Sequence, residues 1–457
     1  MHSLSAESNH VVIVGGGLSG LAAAVELASH DIPITVLEQK PKLGGRAHSF
    51  IDGTTGDSVD NGQHVMIAAY ERTMAFLERI GTKHLLSIQG QPLLYLHHPQ
   101  RGMCEFRLPR LPSPFHLVVG VLTSNLFSLP DKLRLLRAGL SIQSASSDRS
   151  LANATIEQWL TTIGQSAEAK RSFWEPLAIA IMNEHIAKAS AAVFVRALRR
   201  AFFARNLNAS VVLPRVGLSE LFIEKAVKYI LDRGGDVRTN ADVTTMVWEN
   251  GAPRGVMLRN GASVLCDALI LAVPHYRIEE LLPIPLRGVA PAMTAAASTP
   301  IVSIHLWFNM GFMRHDFVGL IGRRVQWVFN RRRITAGERN LASHVSCVIS
   351  AGSEFVEMTN EQLIQIALDD LRSVYRATPR VPVHAVVIRE KRATFSCTPE
   401  VERFRPDNAT AVPNLFLAGD WTNTGLPATI EGAIVSGEKC AKLARAFLRH
   451  AELQSTR

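Results

Sequence analysis

The chain has 457 residues, 47% of them hydrophobic and 19% charged, with 31 Gly and 22 Pro, a composition that excludes collagen-like, coiled-coil and fully disordered proteins. At roughly 150 residues per domain, this length implies about three domain-sized units and ample buried core. Lys and Arg outnumber Asp and Glu by 49 to 40, and the net +9 favours an anionic partner such as a membrane surface, a phosphate-bearing ligand or nucleic acid, the alternative being ordinary solubility charge.

In chain order, Val11 to Val14 is a short β-branched run, Leu18 to Ser29 is alanine-rich and helical, and Ile34 to Leu37 is a second apolar run. Together they predict a βαβ unit. The stretch Val11 to Ala28 is broken by glycines and carries Glu26, so it reads as mature structure and not as a signal peptide. From about Met74 to Arg205 the pattern is mostly helical. Within it, Leu111 to Pro130 has no charged residue, yet Pro112, Pro114 and Asn125 argue against a spanning helix. A monotopic membrane contact is predicted there, supported by the cations and leucines of Asp131 to Arg137; the alternative is a buried helix pair with a solvated face. Arg196, Arg199, Arg200 and Arg331 to Arg333 add positive patches.

From Asp236 to Val273, short valine-bearing runs are separated by Asn250-Gly251 and Asn260-Gly261, both hairpin signals, and return to a buried strand at Ala268 to Val273. Residues from Val289 to Arg392 mix strand runs such as Ile301 to Phe308 with a helix near Glu361 to Tyr375. Finally, the apolar run Leu415 to Ala418 meets Gly419 and Asp420 and leads into a long helix from about Thr429. The predicted fold is α/β. Residues 1–73, 206–288 and 393–457 form a Rossmann-like nucleotide-binding domain, and residues 74–205 and 289–392 form an inserted α+β substrate domain. Cys104, Cys266, Cys347, Cys397 and Cys440 are far apart, which suggests neither disulfides nor a zinc site and fits a reducing cytoplasm.

Gly15, Gly17 and Gly20 hold the G-x-G-x-x-G spacing directly after a strand and opening a helix. Gly15 permits the tight turn, Gly17 lets backbone approach a pyrophosphate, and Gly20 allows close helix-to-strand packing, while the helix N-terminus offers free N–H groups to phosphate. Glu38, 18 residues beyond Gly20 at the end of the second strand, supplies a carboxylate for a ribose hydroxyl. Leu43-Gly44-Gly45-Arg46 follows at once.

A glycine fingerprint paired with Gly-Gly-Arg just past the acidic residue resembles the FAD proteins that include amine oxidases, protoporphyrinogen oxidase and carotenoid desaturases. Asn414-Leu415-Phe416-Leu417-Ala418-Gly419-Asp420-Trp421-Thr422 resembles the same group. Finer likeness lies in Val59-Asp60-Asn61-Gly62-Gln63-His64-Val65, Pro176-Leu177 with Met182-Asn183, Leu213 to Leu218 and Ala393-Thr394-Phe395. These look like the hydroxysqualene dehydroxylases, the squalene-associated FAD proteins of bacterial hopanoid synthesis. The resemblance implies an FAD site drawing on Gly15, Gly17, Leu18, Ser19, Gly20, Glu38, Gln39, Gly44, Gly45, Arg46, Gly62, Gln63, Val243, Gly419, Asp420, Thr429 and Ile430. In it Arg46 offsets pyrophosphate charge, Asp420 takes a ribityl hydroxyl, the helix at Thr429 faces the flavin pyrimidine ring, and the Val243 backbone meets adenine. Asp31 departs from the family, which usually has glycine there, and implies a small stability cost.

The resemblance further implies reductive removal of a hydroxyl from a C30 hydroxysqualene to leave squalene, with His64 as candidate proton donor. The alternative for His64 is packing against the flavin. Asp60 and Asn61 read as turn-formers, and Cys397 as an inert thiol. Implied partners are a long-chain isoprenoid substrate, the inner face of the plasma membrane and upstream squalene-pathway enzymes; no nucleic-acid motif accompanies the net charge. Two other readings are weighed: a polyprenoid desaturase or oxidase running the flavin in the opposite direction, and a prenyl-binding escort protein, for which degraded phosphate glycines are expected. An amine oxidase fits less well, with five tyrosines and no evident aromatic cage.

Overall fold

The computed structural model describes residues 9–144, 149–205, 207–282, 293, 295–335 and 343–455. Domain boundaries expected at 206, 288 and 289 lie outside the described residues. The β-branched runs form a five-stranded parallel sheet: β1 (Val11–Val14), β2 (Ile34–Leu37), β3 (Asp236–Arg238), β4 (Ala268–Leu271) and β5 (Leu415–Leu417), in the order β3-β2-β1-β4-β5. Every residue of β1, β2, β4 and β5 is buried, as continuous apolar runs require when helices cover both faces. Helix α1 (Leu18–Ala28) is buried along its whole length. The long C-terminal helix α2 (Ile430–Ser455) packs on it at Gly437, where a Cβ would collide with the Ser19 carbonyl. Three distant segments of sequence thus close one α/β layer. Asp31 takes the left-handed conformation after α1 (φ 55°), the strain expected of a non-glycine residue there.

The predicted meander is present as strands Val243–Glu249, Ala252–Leu258 and Ser263–Leu265. Asn250 (φ 51°) and Gly251 (φ 78°) both adopt positive φ, as a two-residue hairpin turn demands. At the second turn only Gly261 does so (φ 86°), and the Asn260 side chain accepts from Ala262 N instead.

The second unit is a seven-stranded sheet in the order His384–Phe395, Ser298–Phe308, Ser343–Ile349, Trp327–Asn330, Phe317–Leu320, Leu93–His98, Gly102–Arg107. One face is covered by helix Asn360–Val374. Its last two strands correct the helical expectation for residues 74–205. The leucine-rich run at 93–96 forms a hairpin because a neighbouring strand is present to pair with it, a tertiary fact that periodicity does not carry. The expected boundary at 73–74 also falls inside helix Glu71–Arg79, whose Phe76 and Leu77 lie in the core of the parallel-sheet unit. Strand Leu86–Ile88 pairs with Val211–Pro214, so that unit extends past residue 73.

The uncharged segment forms helix Phe115–Thr123 followed by helix Leu129–Ser144. One side is core, with Val121, Leu126, Phe127, Leu135, Ala138 and Ile142 buried. The other exposes Phe115, Leu122, Leu129, Leu133 and Leu140. Among the described residues no helix is long and apolar enough to cross a membrane.

Candidate cofactor and active site

The site begins at the carboxyl end of β1, where an open α/β sheet binds its ligands. Gly15 turns the chain at φ 111°, and a side chain there would overlap the Ala272 carbonyl. At Gly20 likewise an added Cβ would overlap the Gly15 carbonyl. Gly17 differs: it caps α1 in an extended conformation (φ −74°, ψ 178°), and a Cβ there would meet nothing within 4 Å. No internal packing therefore asks for glycine at 17. Open space at a helix N-terminus is what an approaching pyrophosphate needs, so the turn fits a dinucleotide. Leu18 and Ser19 are buried in the first turn of the helix. Glu38 is buried, its Oε2 accepting from Gly16 N (2.8 Å) and its Oε1 from Lys40 N (2.9 Å). It both holds the glycine turn and keeps lone pairs for a ribose. Ala241 N donates to the Glu38 carbonyl (2.9 Å), which brings the strand starting at Val243 beside it. Gln39 is exposed and accepts from Arg277.

Gly44 N donates to the Gly16 carbonyl (2.8 Å), and Gly17 and Gly44 bridge as in a parallel pair. A Cβ on Gly44 would run into Ile223 and Ala47, so Gly44 serves the packing of one loop on the other. Arg46 then points to the far side of the cleft: Nη2 donates to Asp420 Oδ1 (2.7 Å) and Nη1 to the Ala393 carbonyl (2.8 Å). The amino-terminal turn and the carboxy-terminal motif, 374 residues apart, meet at this ion pair. Arg46 is 40% exposed and Asp420 7%, so the guanidinium retains an open side for an anion.

Asp420 is held by a residue that sequence reasoning missed. Arg405 is buried and donates to the carbonyls of Asp420 (2.8 Å), Trp421 (3.3 Å), Leu426 (2.7 Å) and Thr422, and pairs with Glu402. Its only sequence signal is an arginine between Phe404 and Pro406. Ser436 on α2 accepts from Gly419 N (2.9 Å), and Trp421 Nε1 donates to the Val273 carbonyl (3.0 Å). Thr429 caps α2 by accepting from Gly432 N (3.1 Å), with Ile430 as first helical residue, so the positive end of the longest helix heads this part of the cleft.

The loop Gly62-Gln63-His64 closes the other wall. His64 is half-buried; burial first, then the Arg46 charge, holds its pKa below the ordinary imidazole value, opposed by Asp60, the Arg46 backbone and Glu390. Asp60 and Asn61 are more than turn-formers. Asp60 is buried and accepts from Ser49 Oγ (2.7 Å) and Leu218 N (3.0 Å), with Arg331 Nη2 3.4 Å from its other oxygen. Asn61 reaches toward Glu390 (3.5 Å). His275, also missed, is buried just past β4 within electrostatic reach of Asp420 and Arg46, and burial lowers its pKa. Position alone signalled it, since it follows a strand at the end where ligands bind.

Several cations expected on positive patches are engaged: Arg331 with Asp60 and Gln63, Arg200 with Glu431, Arg196 with Glu402. Each carboxylate partner was too distant in sequence to be read. All five cysteines are free and buried, and the Cys397 thiol is pushed up to about 12 by burial, which leaves it unreactive.

The model of the flavin containing amine oxidoreductase family matches residues 18–444. A hydroxysqualene dehydroxylase of Sinorhizobium fredii is 30% identical over 443 residues, covering 95% of this chain and 98% of that protein. Another, from Rhodopseudomonas palustris, is 28% identical with the same coverage of both chains. Among solved structures, an oxidoreductase from Methanosarcina mazei aligns over 95% of this chain and all of that one, with a TM-score of 0.75 at 15% identity, which speaks to the fold. The chain therefore belongs to the flavin containing amine oxidoreductase family and takes FAD as its cofactor.

Proposed function

We propose that this FAD-dependent oxidoreductase removes the hydroxyl of hydroxysqualene to leave squalene. The observation that supports this substrate is that likeness to the two hydroxysqualene dehydroxylases runs through the seven-stranded sheet and helical block as well as the nucleotide-binding unit, across 95% of the chain. Reduced FAD, when bound, supplies the hydride that replaces the departing hydroxyl. The chain's own groups do the rest. The N-terminus of α2 and Arg46 favour negative charge at the cofactor. His64, beside Arg46 and Asp60, is the proton source for the leaving oxygen, which departs as water. Its lowered pKa makes the imidazolium a stronger acid and a scarcer one.

A C30 hydrocarbon partitions into the bilayer, so the enzyme meets its substrate at a membrane surface. The exposed Phe115, Leu122, Leu129, Leu133 and Leu140, with Arg137 beside them, support a monotopic contact on the cytoplasmic leaflet, where enzymes making the precursor would also work. Anaerobic incubation of photoreduced holoenzyme with hydroxysqualene should yield squalene. Recovery of unchanged alcohol, with flavin still reduced, would refute the reaction.

A further inference from the structure

The basic triplet divides between two sides of the fold. Arg331 turns inward to Asp60 and Gln63, whereas Arg332 and Arg333 line a surface recess of about 390 Å³, within the range of about 300–1,000 Å³ common to small-molecule sites. Segments far apart in sequence build it. Strand Leu86–Ile88 brings Ser87, the end of strand Val211–Pro214 brings Leu213 and Arg215, and the turn after strand Trp327–Asn330 brings the two triplet arginines. The first two strands pair, and Arg215 N donates to the Leu85 carbonyl (2.9 Å). Leu213 and Ile334 form an apolar floor that packs with Phe317 and Phe329, so the polar groups stand on a fixed base.

Among the described residues Asp316 is the single carboxylate of the lining, and its Oδ1 already accepts from Arg333 Nε (2.8 Å). The lining is left with a net charge of +2, and Arg215 has no ion pair with a described residue. Other arginines of the helical block meet a carboxylate each, Arg196 with Glu402 and Arg200 with Glu431. Like charges gathered in one recess repel, which an anion seated among them relieves. Guanidinium forks match phosphate oxygens, and a phosphate monoester carries about −1.5 to −2 at pH 7, so charge and donor geometry agree. The glycine turn, Arg46 and Asp420 take no part in this lining, which separates it from the cofactor's pyrophosphate.

We propose that the recess of Arg215, Arg332 and Arg333 binds a doubly charged phosphate group. Its surroundings favour a membrane headgroup as the source. Ile88, next to Ser87, is 50% exposed. Gly90, two residues on, accepts from Arg110 Nε on its carbonyl (3.1 Å), and Arg110 leads directly to Leu111 and Phe115 at the start of the exposed apolar face. A lipid phosphate held here fixes how that face meets the bilayer; a soluble phosphate ester has the same chemistry without the anchor. The site stands independently of the hydroxysqualene reading.

The test is calorimetric titration of FAD-loaded protein, its cofactor site filled, with soluble dihexanoyl phosphatidic acid, dihexanoyl phosphatidylcholine and inorganic phosphate. Wild type should bind phosphatidic acid at least about tenfold more tightly than the zwitterionic phosphatidylcholine, and less tightly as salt rises. Arg215→Gln and Arg332→Gln alter exposed side chains and should each weaken phosphatidic acid about tenfold. Arg215→Lys, which keeps charge but loses the fork, should fall between. Arg380→Gln, in a different recess, should match wild type. Tighter binding of phosphatidic acid than of inorganic phosphate identifies a headgroup, and equal binding identifies a soluble ester; in either case the arginine variants must weaken it. No saturable binding of either phosphate by wild type, or wild-type affinity in both glutamine variants, overturns the proposal. Squalene formation by the same preparations reports separately on the dehydroxylase reading.

Discussion

Gly17→Val separates the cofactor from the fold. The native backbone at Gly17 lies at φ −74°, ψ 178°, a region valine enters freely, and a Cβ there meets no protein atom within 4 Å. The change therefore costs the apoprotein only the difference between glycine and a β-branched residue at a helix N-cap, about 1 kcal/mol. The same bulk fills the space where the pyrophosphate approaches the α1 N-terminus, and FAD affinity should fall at least about tenfold, or 1.4 kcal/mol. Gly20→Ala is the control. Its methyl overlaps the Gly15 carbonyl, backbone that cannot swing aside, so it should destabilise the apoprotein by about 3 kcal/mol. Thermal melting of flavin-free protein and FAD titration by fluorescence quenching measure the two effects. Gly17→Val protein that binds FAD with wild-type affinity would refute the reasoning.

Four further outcomes are expected. Glu38→Ala leaves the buried Gly16 N without its acceptor and removes the carboxylate proposed for the ribose, so the purified protein should be flavin-poor and about 1–3 kcal/mol less stable. Turnover should fall as pH rises through a value below the ordinary 6.5 of imidazole, because burial depresses the pKa of His64; His64→Gln should keep its flavin, turn over slowly and lose that limb, and unchanged turnover would remove His64 from the acid role. His344 is held neutral down to about 3, so the unfolded chain takes up a proton first as pH drops. Stability should decline between about pH 6.5 and 3 with a contribution of up to about 1.4 kcal/mol per pH unit, and denaturant titration of His344→Gln should show a shallower slope. Arg405→Met strips four carbonyls of a buried donor and should lower the unfolding free energy by about 3 kcal/mol or more, with loss of flavin.

The sequence by itself determined the elements whose cause is local. Contiguous β-branched runs, the glycine spacing, Asn250-Gly251 and the alanine-rich α1 specify their conformations through sterics acting over a few residues, and all are found where patterning places them. The acid at Glu38 was legible for the same reason, since βαβ geometry fixes its distance from the turn. Tertiary structure alone decided what depends on partners far along the chain. The hairpin at Leu93–Arg107 exists because Phe317–Leu320 offers it an edge, and a Leu-rich run carries no record of that neighbour. Arg331 looked like one member of a basic triplet, yet it is buried against Asp60 and Gln63; Arg405 stood in no motif, yet it ties down Asp420. Charge is visible in a sequence, but its solvation is not. Solvation is set by which segments close over the side chain, and here that closure turns scattered arginines into the supports of one cleft.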